Sequence, residues 1–178
     1  MALSAHAEQA ARADLKSAED KLLHGDYKGA LADFKAVKGK DAAKAKIRAG
    51  YVHLRMGDYA EAEKAAQAKG SVDADMLRAE IYRTTGRLAD ARKILEALLI
   101  KNPKHLRAKA FLGLTYEDLG EKVLAESIWN EFYDSWDAGE INDKDADNPR
   151  AYSVLEEINT RPNIFYLTKV RNRDEAKA

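Results

Sequence analysis

Residues 112–129 read Leu-Gly-Leu-Thr-Tyr-Glu-Asp-Leu-Gly-Glu-Lys-Val-Leu-Ala-Glu-Ser-Ile-Trp, the pattern of two helices joined at a glycine. Gly120 separates the two halves, because glycine adopts the left-handed conformation that ends a helix without steric cost. Gly113 precedes it by seven residues, and Ala125 follows it by five. Small residues on two antiparallel helices let their backbones approach closely, while larger residues fill the space beside them. The stretch therefore predicts a tightly packed helical hairpin.

The same arrangement recurs around three earlier glycines, Gly25, Gly57 and Gly86. A small residue precedes each of the four glycines by seven positions, alanine follows by five, and three of the four residues nine positions later are large and apolar. In this order the positions are Ala18, Gly50, Ala79 and Gly113, then Ala30, Ala62, Ala91 and Ala125, then Phe34, Ala66, Leu95 and Trp129. Four repeats in phase predict an all-α protein of about four stacked hairpins.

The organisation expected from this pattern is a repeat region followed by a different C-terminal part. The repeat region is expected to cover residues 1–136, with hairpins at about 9–38, 43–69, 73–101 and 105–136. An acidic loop is expected over 137–148, and further helices within 149–178. A stack of repeats exposes an apolar end unless an atypical element covers it. Ile164, Phe165 and Leu167 are the candidates for that cap, or alternatively for an exposed docking element.

Composition agrees with a helical protein and excludes several classes. The 178 residues are 46% hydrophobic, 34% charged and 8% aromatic, and none is cysteine, which rules out disulfides and thiolate metal sites. No apolar run reaches the ~20 residues of a membrane-spanning helix. Because the N-terminus lacks the basic and apolar regions of a signal peptide, we expect a cytoplasmic protein, or a periplasmic one if the chain is a processed form.

Charge is distributed unevenly although the formal net charge is zero. Residues 1–116 contain 22 Lys and Arg against 15 Asp and Glu, residues 117–160 contain 3 against 13, and residues 161–178 contain 5 against 2. Such an asymmetry favours electrostatic orientation of partners. The alternative is that these charges only solvate the helix faces.

No pattern in the sequence indicates catalysis, a metal or a cofactor. No two histidines stand at metal-ligand spacing, and neither a nucleophile elbow nor a phosphate-binding glycine loop is present. Residues 143–148 alternate acids as a calcium loop does, but Asn148 replaces the required glycine and no glutamate follows at the twelfth position. The acidic stretch would repel nucleic acid. We therefore expect neither an enzyme nor a nucleic-acid-binding protein.

These repeats resemble the tetratricopeptide repeat family over roughly residues 9–136. The fourth hairpin matches best, with the family's residues at Leu112, Gly113, Tyr116, Gly120, Ala125, Trp129 and Phe132. The third supplies Ala79, Tyr82, Gly86, Ala91, Leu95 and Pro103. The resemblance implies a right-handed α-solenoid that serves as a protein-binding scaffold. The second hairpin departs from the family, because its second helix, 59–69, is short and alanine-rich. In the third hairpin, Arg78 stands where leucine is usual.

The resemblance further implies a concave groove lined by the first helix of each hairpin. Its expected residues form a basic wall, an apolar floor and an acidic far end: Lys44, Ile47, Arg48, Tyr51, Arg55, Met76, Glu80, Arg83, Arg107 and Leu114. Basic groups beside an aromatic ring suit a peptide or protein partner that bears carboxylates.

Two alternatives to this groove function stay open. One is a structural or accessory subunit of a larger assembly or homo-oligomer, and the other is a regulatory module of an enzyme. A clamp for chaperone tails is not expected, although Lys44 and Arg48 match two of its residues. The asparagines of that clamp are missing, since Leu15 and Glu19 occupy the first helix and Tyr51 the second.

Overall fold

A computed structural model of the chain describes residues 15–137. Within this range the secondary structure is helical, without a strand, and a one-turn 3₁₀ helix covers Gly39–Asp41. The α-helices are α1 over residues 15–23, α2 Tyr27–Ala36, α3 Ala42–Arg55, α4 Tyr59–Ala65, α5 Val72–Thr84, α6 Leu88–Lys101, α7 Leu106–Asp118 and α8 Lys122–Asp137. The expected C-terminal helices, with Ile164, Phe165 and Leu167, lie outside the described residues, as does nearly all of the expected acidic loop.

Helix starts follow from side-chain caps that the sequence supplies. The Oδ1 atoms of Asp26 and Asp58 accept hydrogen bonds from the backbone N–H of Gly29 and Glu61, at 2.9 and 3.4 Å. Ser71 Oγ caps α5 in the same way, and His105 Nδ1 accepts from the Ala108 N–H at 3.1 Å to cap α7. Each cap satisfies a backbone donor that the first helical turn leaves without a partner.

The second helix of the second hairpin is shorter than the sequence pattern predicts. α4 ends at Ala65 rather than near residue 69. Gly70 follows with a φ of +75°, a left-handed conformation, and Ser71 caps the next helix. The chain needs the residues between Ala65 and this cap for its turn, so the expected boundary at 69 is wrong by about one helical turn.

The chain divides into two compact units at Ala91, inside α6. In the first unit, α3 packs against α2, α4 and α5. One core cluster consists of Ala18, Ala30, Phe34, Val37, Ala45 and Val52. A second consists of Ile47, Ala62, Ala65, Ala66, Ala74, Leu77 and Ile81. Gly50 lies against this second cluster, since a Cβ there would stand 2.5 Å from Leu77 Cδ2 and 2.7 Å from Ala65 Cβ.

In the second unit, α7 packs against α8 around the indole of Trp129. A Cβ added at Gly113 would lie 2.6 Å from Trp129 Cε2, so the glycine makes room for the ring. The ring is 1% exposed and meets Phe132 edge to face at 5.7 Å between centroids. Its Nε1–H donates to Glu117 Oε1 at 2.8 Å, which satisfies the buried donor. The residues of α7 from Ala108 to Tyr116 are all buried.

Candidate interaction surface

One stripe of α3 carries four of the expected groove residues. Lys44, Arg48, Tyr51 and Arg55 follow one another at intervals of four, three and four residues, which places them on one face of the helix. Lys44 and Arg55 are exposed, while Arg48 and Tyr51 are half-buried between them. We call these four residues the α3 stripe. It combines two accessible cations with an aromatic ring and a partly desolvated guanidinium.

The guanidinium of Arg48 already forms an ion pair with a carboxylate from a neighbouring helix. Its Nη2 lies 3.1 Å from Oε1 of Glu19 on α1, and the two side chains are 17% and 39% exposed. Sequence reasoning missed this contact, because it considered Glu19 only as a departure from the chaperone-tail clamp. The sequence feature that could have predicted this ion pair is the opposite charge of the two residues, which lie on the first helices of successive hairpins. Arg48 is therefore oriented by the protein itself before any partner arrives.

The apolar floor expected for the groove is not exposed in the structure. Ile47, Met76 and Leu114 are 4%, 2% and 0% exposed. Ile47 belongs to the core cluster that includes Ala62 and Leu77. Burial of a large aliphatic side chain stabilises the fold by about 1.5–3 kcal/mol, so the repeat uses such residues for packing. The expectation that these three side chains line an open surface is wrong.

The remaining groove residues lie partly buried on α5 and α7. On α5 of the first unit, Glu80 and Arg83 are half-buried, and each takes part in interactions within the protein. In the second unit, the guanidinium of Arg107 lies 5.4 Å above the ring centroid of Phe111, within the range of a cation–π interaction. The structure thus joins the four residues of the α3 stripe on one helix face. Arg107 and Leu114 belong to the other unit.

Several acidic residues of the second unit form contacts within that unit. Glu121 pairs with Arg92 at 2.9 Å, and Glu131 pairs with Lys109 at 3.5 Å. Glu96 accepts a hydrogen bond from the Tyr116 hydroxyl at 2.9 Å. The pKa of Tyr116 is raised to about 12, mainly by burial and to a smaller extent by this hydrogen bond to a carboxylate. Part of the acidic character seen in the sequence is therefore structural.

A polar contact at the other end of the described chain joins α1 to α2. The ammonium of Lys21 and the hydroxyl of Ser17 both donate to Asp33 Oδ2 at 2.7 Å. Both hydrogen bonds lower the pKa of Asp33 below its usual value, and the one from Lys21 has the larger effect. Both charged side chains are partly exposed, so solvent weakens the ion pair, and it orients the two helices more than it stabilises them.

Over residues 15–137, no group of three or more His, Asp or Glu side chains could hold a metal ion. In that same range, no helix is long and apolar enough to cross a membrane.

The sequence matches a family model described as tetratricopeptide repeat in two overlapping segments, residues 47–97 and 76–139. Together these segments span just over half of the chain. The chain belongs to the tetratricopeptide repeat family. The predicted all-α class, a helical-repeat solenoid, is thereby confirmed, and family membership supports a protein–protein interaction or scaffold role. Members of this family are typically scaffolds without enzymatic activity. No curated protein matches the sequence.

Solved structures similar to this chain include two MamA proteins and one further tetratricopeptide repeat protein. A MamA structure has a TM-score of 0.58 at 15% identity and covers 96% of this chain and 97% of its own. MamA 41-end from Desulfovibrio magneticus RS-1 has a TM-score of 0.56 at 17% identity, over 86% and 97%. The tetratricopeptide repeat protein from Parabacteroides merdae ATCC 43184 has a TM-score of 0.57 at 22% identity and covers 85% of this chain.

The chain spans 60% of the length of the Parabacteroides protein. At these identities the likeness extends to the fold alone.

Proposed function

We propose that this chain is a scaffold that binds an acidic peptide or protein segment along the α3 stripe. The observation that carries the proposal is the placement of Lys44, Arg48, Tyr51 and Arg55 on one helix face, with the first and last exposed. Cations on one face at this spacing match carboxylates on an extended or helical segment. The stripe lies on a single helix of the first unit.

The partly buried members of the stripe define the rest of the partner's chemistry. Arg48 is 17% exposed and oriented by Glu19, so a carboxylate that reaches it binds in a medium of lower dielectric than bulk water. Tyr51 offers a flat surface beside it. The partner segment is therefore expected to carry at least two acidic residues and one apolar or aromatic anchor.

The test measures how strongly the purified protein binds to an immobilised peptide library in which the number of Asp and Glu residues varies. The variant Lys44→Glu with Arg55→Glu reverses the two exposed cations and leaves the Arg48–Glu19 pair intact. It should lower affinity for acidic peptides about tenfold, or about 1.4 kcal/mol. Reversing Arg48 instead would place a carboxylate beside Glu19 and disturb the fold.

The matched control is Lys28→Glu with Lys101→Glu, which makes the same change in net charge at two exposed positions outside the stripe. The control should retain acidic peptides as the wild type does, and all three proteins should give the same circular dichroism spectrum. Equal loss in both variants would show that only net charge matters. Equal retention by the stripe variant and the wild type would place the binding surface elsewhere.

The second candidate function is a structural or accessory subunit of an assembly, including one made of copies of this chain. It is favoured by the gathering of opposite charges in different parts of the sequence. Under this function a mutated stripe would leave the assembly intact.

A further inference from the structure

The carboxylate of Glu19 contacts the α3 stripe in the free chain. Its Oε1 lies 3.1 Å from Nη2 of Arg48, and Glu19 itself stands on α1, in another hairpin. The Glu19 side chain is 39% exposed and the Arg48 side chain only 17%, so the carboxylate is the more accessible member of the pair. An acidic partner that approaches Arg48 therefore comes close to a like charge, which repels it.

Packing of the helix backbones holds Glu19 in this position. Ala18, the residue before it, is completely buried in the core cluster that also contains Ala45 and Val52 of α3. The backbone of α1 is thus fixed against α3 one residue away from the carboxylate. A group held in this way acts at a high effective concentration, whereas a partner loses translational and rotational freedom when it binds. Glu19 therefore has an advantage over an external carboxylate in binding Arg48.

The guanidinium of Arg48 offers an external carboxylate one suitable edge. A bidentate contact uses either Nε with Nη2 or Nη1 with Nη2. Nε of Arg48 is buried, so an external carboxylate has to use the edge formed by Nη1 and Nη2, and Glu19 already contacts Nη2. Arg48 also takes part in an interaction within the protein besides this ion pair, so its placement does not depend on Glu19 alone. The internal and the external carboxylate thus compete for the same edge.

We propose that Glu19 is an internal competitor for Arg48 and determines which acidic segments gain affinity from it. The inference rests on the proposed function of the α3 stripe. A segment whose carboxylates reach only Lys44 and Arg55 leaves the Arg48–Glu19 pair intact. A segment with a third carboxylate between those two has to displace Glu19 before Arg48 contributes to binding. Glu19 therefore lowers the affinity for the second kind of segment and leaves the first kind unchanged.

The spacing of the stripe defines where that third carboxylate stands in a partner. Arg48 follows Lys44 by four residues and precedes Arg55 by seven. At a helical rise of about 1.5 Å per residue, these intervals are about 6 and about 10 Å along α3. An extended segment advances about 3.3 Å per residue, so its matching acids stand at roughly i, i+2 and i+5, or at i, i+3 and i+5 if it runs the other way.

The test uses synthetic peptides with blocked termini, one leucine anchor and a glycine–serine background. The three-acid peptides carry Glu at the positions given above, in both directions, and the two-acid peptides have Gln in place of the middle Glu. Fluorescence anisotropy measures their affinity for the full chain. Glu19→Gln should bind a three-acid peptide about three- to tenfold more tightly than the wild type does, and the two-acid peptides within about twofold. Glutamine keeps an oxygen that accepts from Nη2, so the substitution removes the charge and not the contact.

Two controls separate competition at Arg48 from a change in net charge. Asp20→Asn makes the same charge change at an exposed neighbour on α1 and should leave every affinity within about twofold of the wild type. In an Arg48→Gln background, Glu19→Gln should change the affinity for the three-acid peptides by less than about twofold, because the disputed guanidinium is absent. Thermal melts should show that all variants are folded.

Three results would overturn the competitor role: a Glu19→Gln variant that binds the three-acid peptides no better than the wild type, an equal gain in Asp20→Asn, or a gain that persists without Arg48. If Lys44→Glu with Arg55→Glu loses peptide binding while Glu19→Gln changes nothing, the competitor role fails and the proposed function stands. If neither the wild type nor Glu19→Gln binds any of the acidic peptides, both fail.

Discussion

The second and fourth hairpins place a glycine at the same position of the repeat, and they fill the space beside it differently. At Gly50 the neighbours are the side chains of Ala65 and Leu77. At Gly113 the neighbour is the indole ring of Trp129, which is buried and hydrogen-bonded to Glu117. Both hairpins therefore bring two helices close together at the glycine, but different side chains fill the space beside it.

The difference has consequences for the rest of each hairpin. The second hairpin has a core rich in alanine and a seven-residue second helix, whereas α8 of the fourth spans 16 residues. Large aromatic side chains bury much more apolar surface than alanine. We infer that the fourth hairpin depends on one large residue, while the second spreads its packing over several small ones.

The largest expected effect comes from converting the fourth hairpin to the pattern of the second. Trp129 occupies the position that Ala66 holds in the second hairpin. Trp129→Ala should lower the free energy of unfolding by about 3–5 kcal/mol, because it empties a filled core site. Urea denaturation measures the change. As a control, Leu124→Ala on the exposed side of α8 should stay within about 0.5 kcal/mol. Equal effects of both substitutions would contradict a core built around the indole.

An intermediate effect is expected from adding a methyl group at the two equivalent glycines. Gly113→Ala places a carbon against a buried ring held by its Nε1–Glu117 hydrogen bond, and overpacking of this kind costs about 1–3 kcal/mol. Gly50→Ala meets a terminal methyl group of Leu77 that can rotate and a short helix that can shift. The higher helix propensity of alanine, about 1 kcal/mol, offsets part of the cost at both positions, because each glycine lies inside a helix.

Thermal melts of the two alanine variants compare these costs. The melting temperature should fall more for Gly113→Ala than for Gly50→Ala. The reverse order would show that the alanine-rich hairpin is the more rigid of the two.

The smallest effect concerns the residue four positions before the hairpin glycine, Tyr116 in the fourth hairpin and His53 in the second. Tyr116→Phe removes the hydrogen bond to Glu96 and should cost about 0.5–1.5 kcal/mol near neutral pH. His53 contacts Asp58 of its own turn at 3.2 Å, so His53→Gln should cost less. Chemical denaturation of both variants checks this order.

Tyr116 also predicts a pH dependence. Its pKa is raised from 10.0 to about 12 in the folded protein, so the folded state holds the proton more tightly than the unfolded state. The corresponding stability is present below about pH 10 and is lost as the pH rises toward 12. The wild type should lose stability over this range more steeply than Tyr116→Phe. Parallel curves for the two proteins would contradict the raised pKa.

Much of the local structure was predictable because its causes are local. The glycines that end α3, α5 and α7 and the aspartates that cap α2 and α4 act within a few residues of where they stand in the sequence. The boundary of α4 was missed because the turn that leads to the left-handed Gly70 and the cap Ser71 begins directly after Ala65. The expected division into a repeat region, an acidic loop and C-terminal helices stays a prediction.

The candidate surface was predictable only in part, because exposure depends on neighbouring helices. Helical periodicity correctly predicted that Lys44, Arg48, Tyr51 and Arg55 share one face of α3. It also predicted that Ile47 is exposed, whereas Ile47 is buried in the core. The ion pair between Arg48 and Glu19 was not predicted, because Glu19 lies on α1 and the repeat pattern does not give the angle between α1 and α3.

The sequence by itself determined the repeat, the helical class and the family, because small residues, glycines and caps recur in phase and each acts locally. Only the tertiary structure decided which apolar side chains are buried, which charges are already paired and which cations stay accessible. The physical reason is that burial and ion pairing depend on distances between helices that are far apart in the chain. Ile47 is buried and Lys44, three residues earlier on the same helix, is exposed, because other helices pack against one side of α3 only.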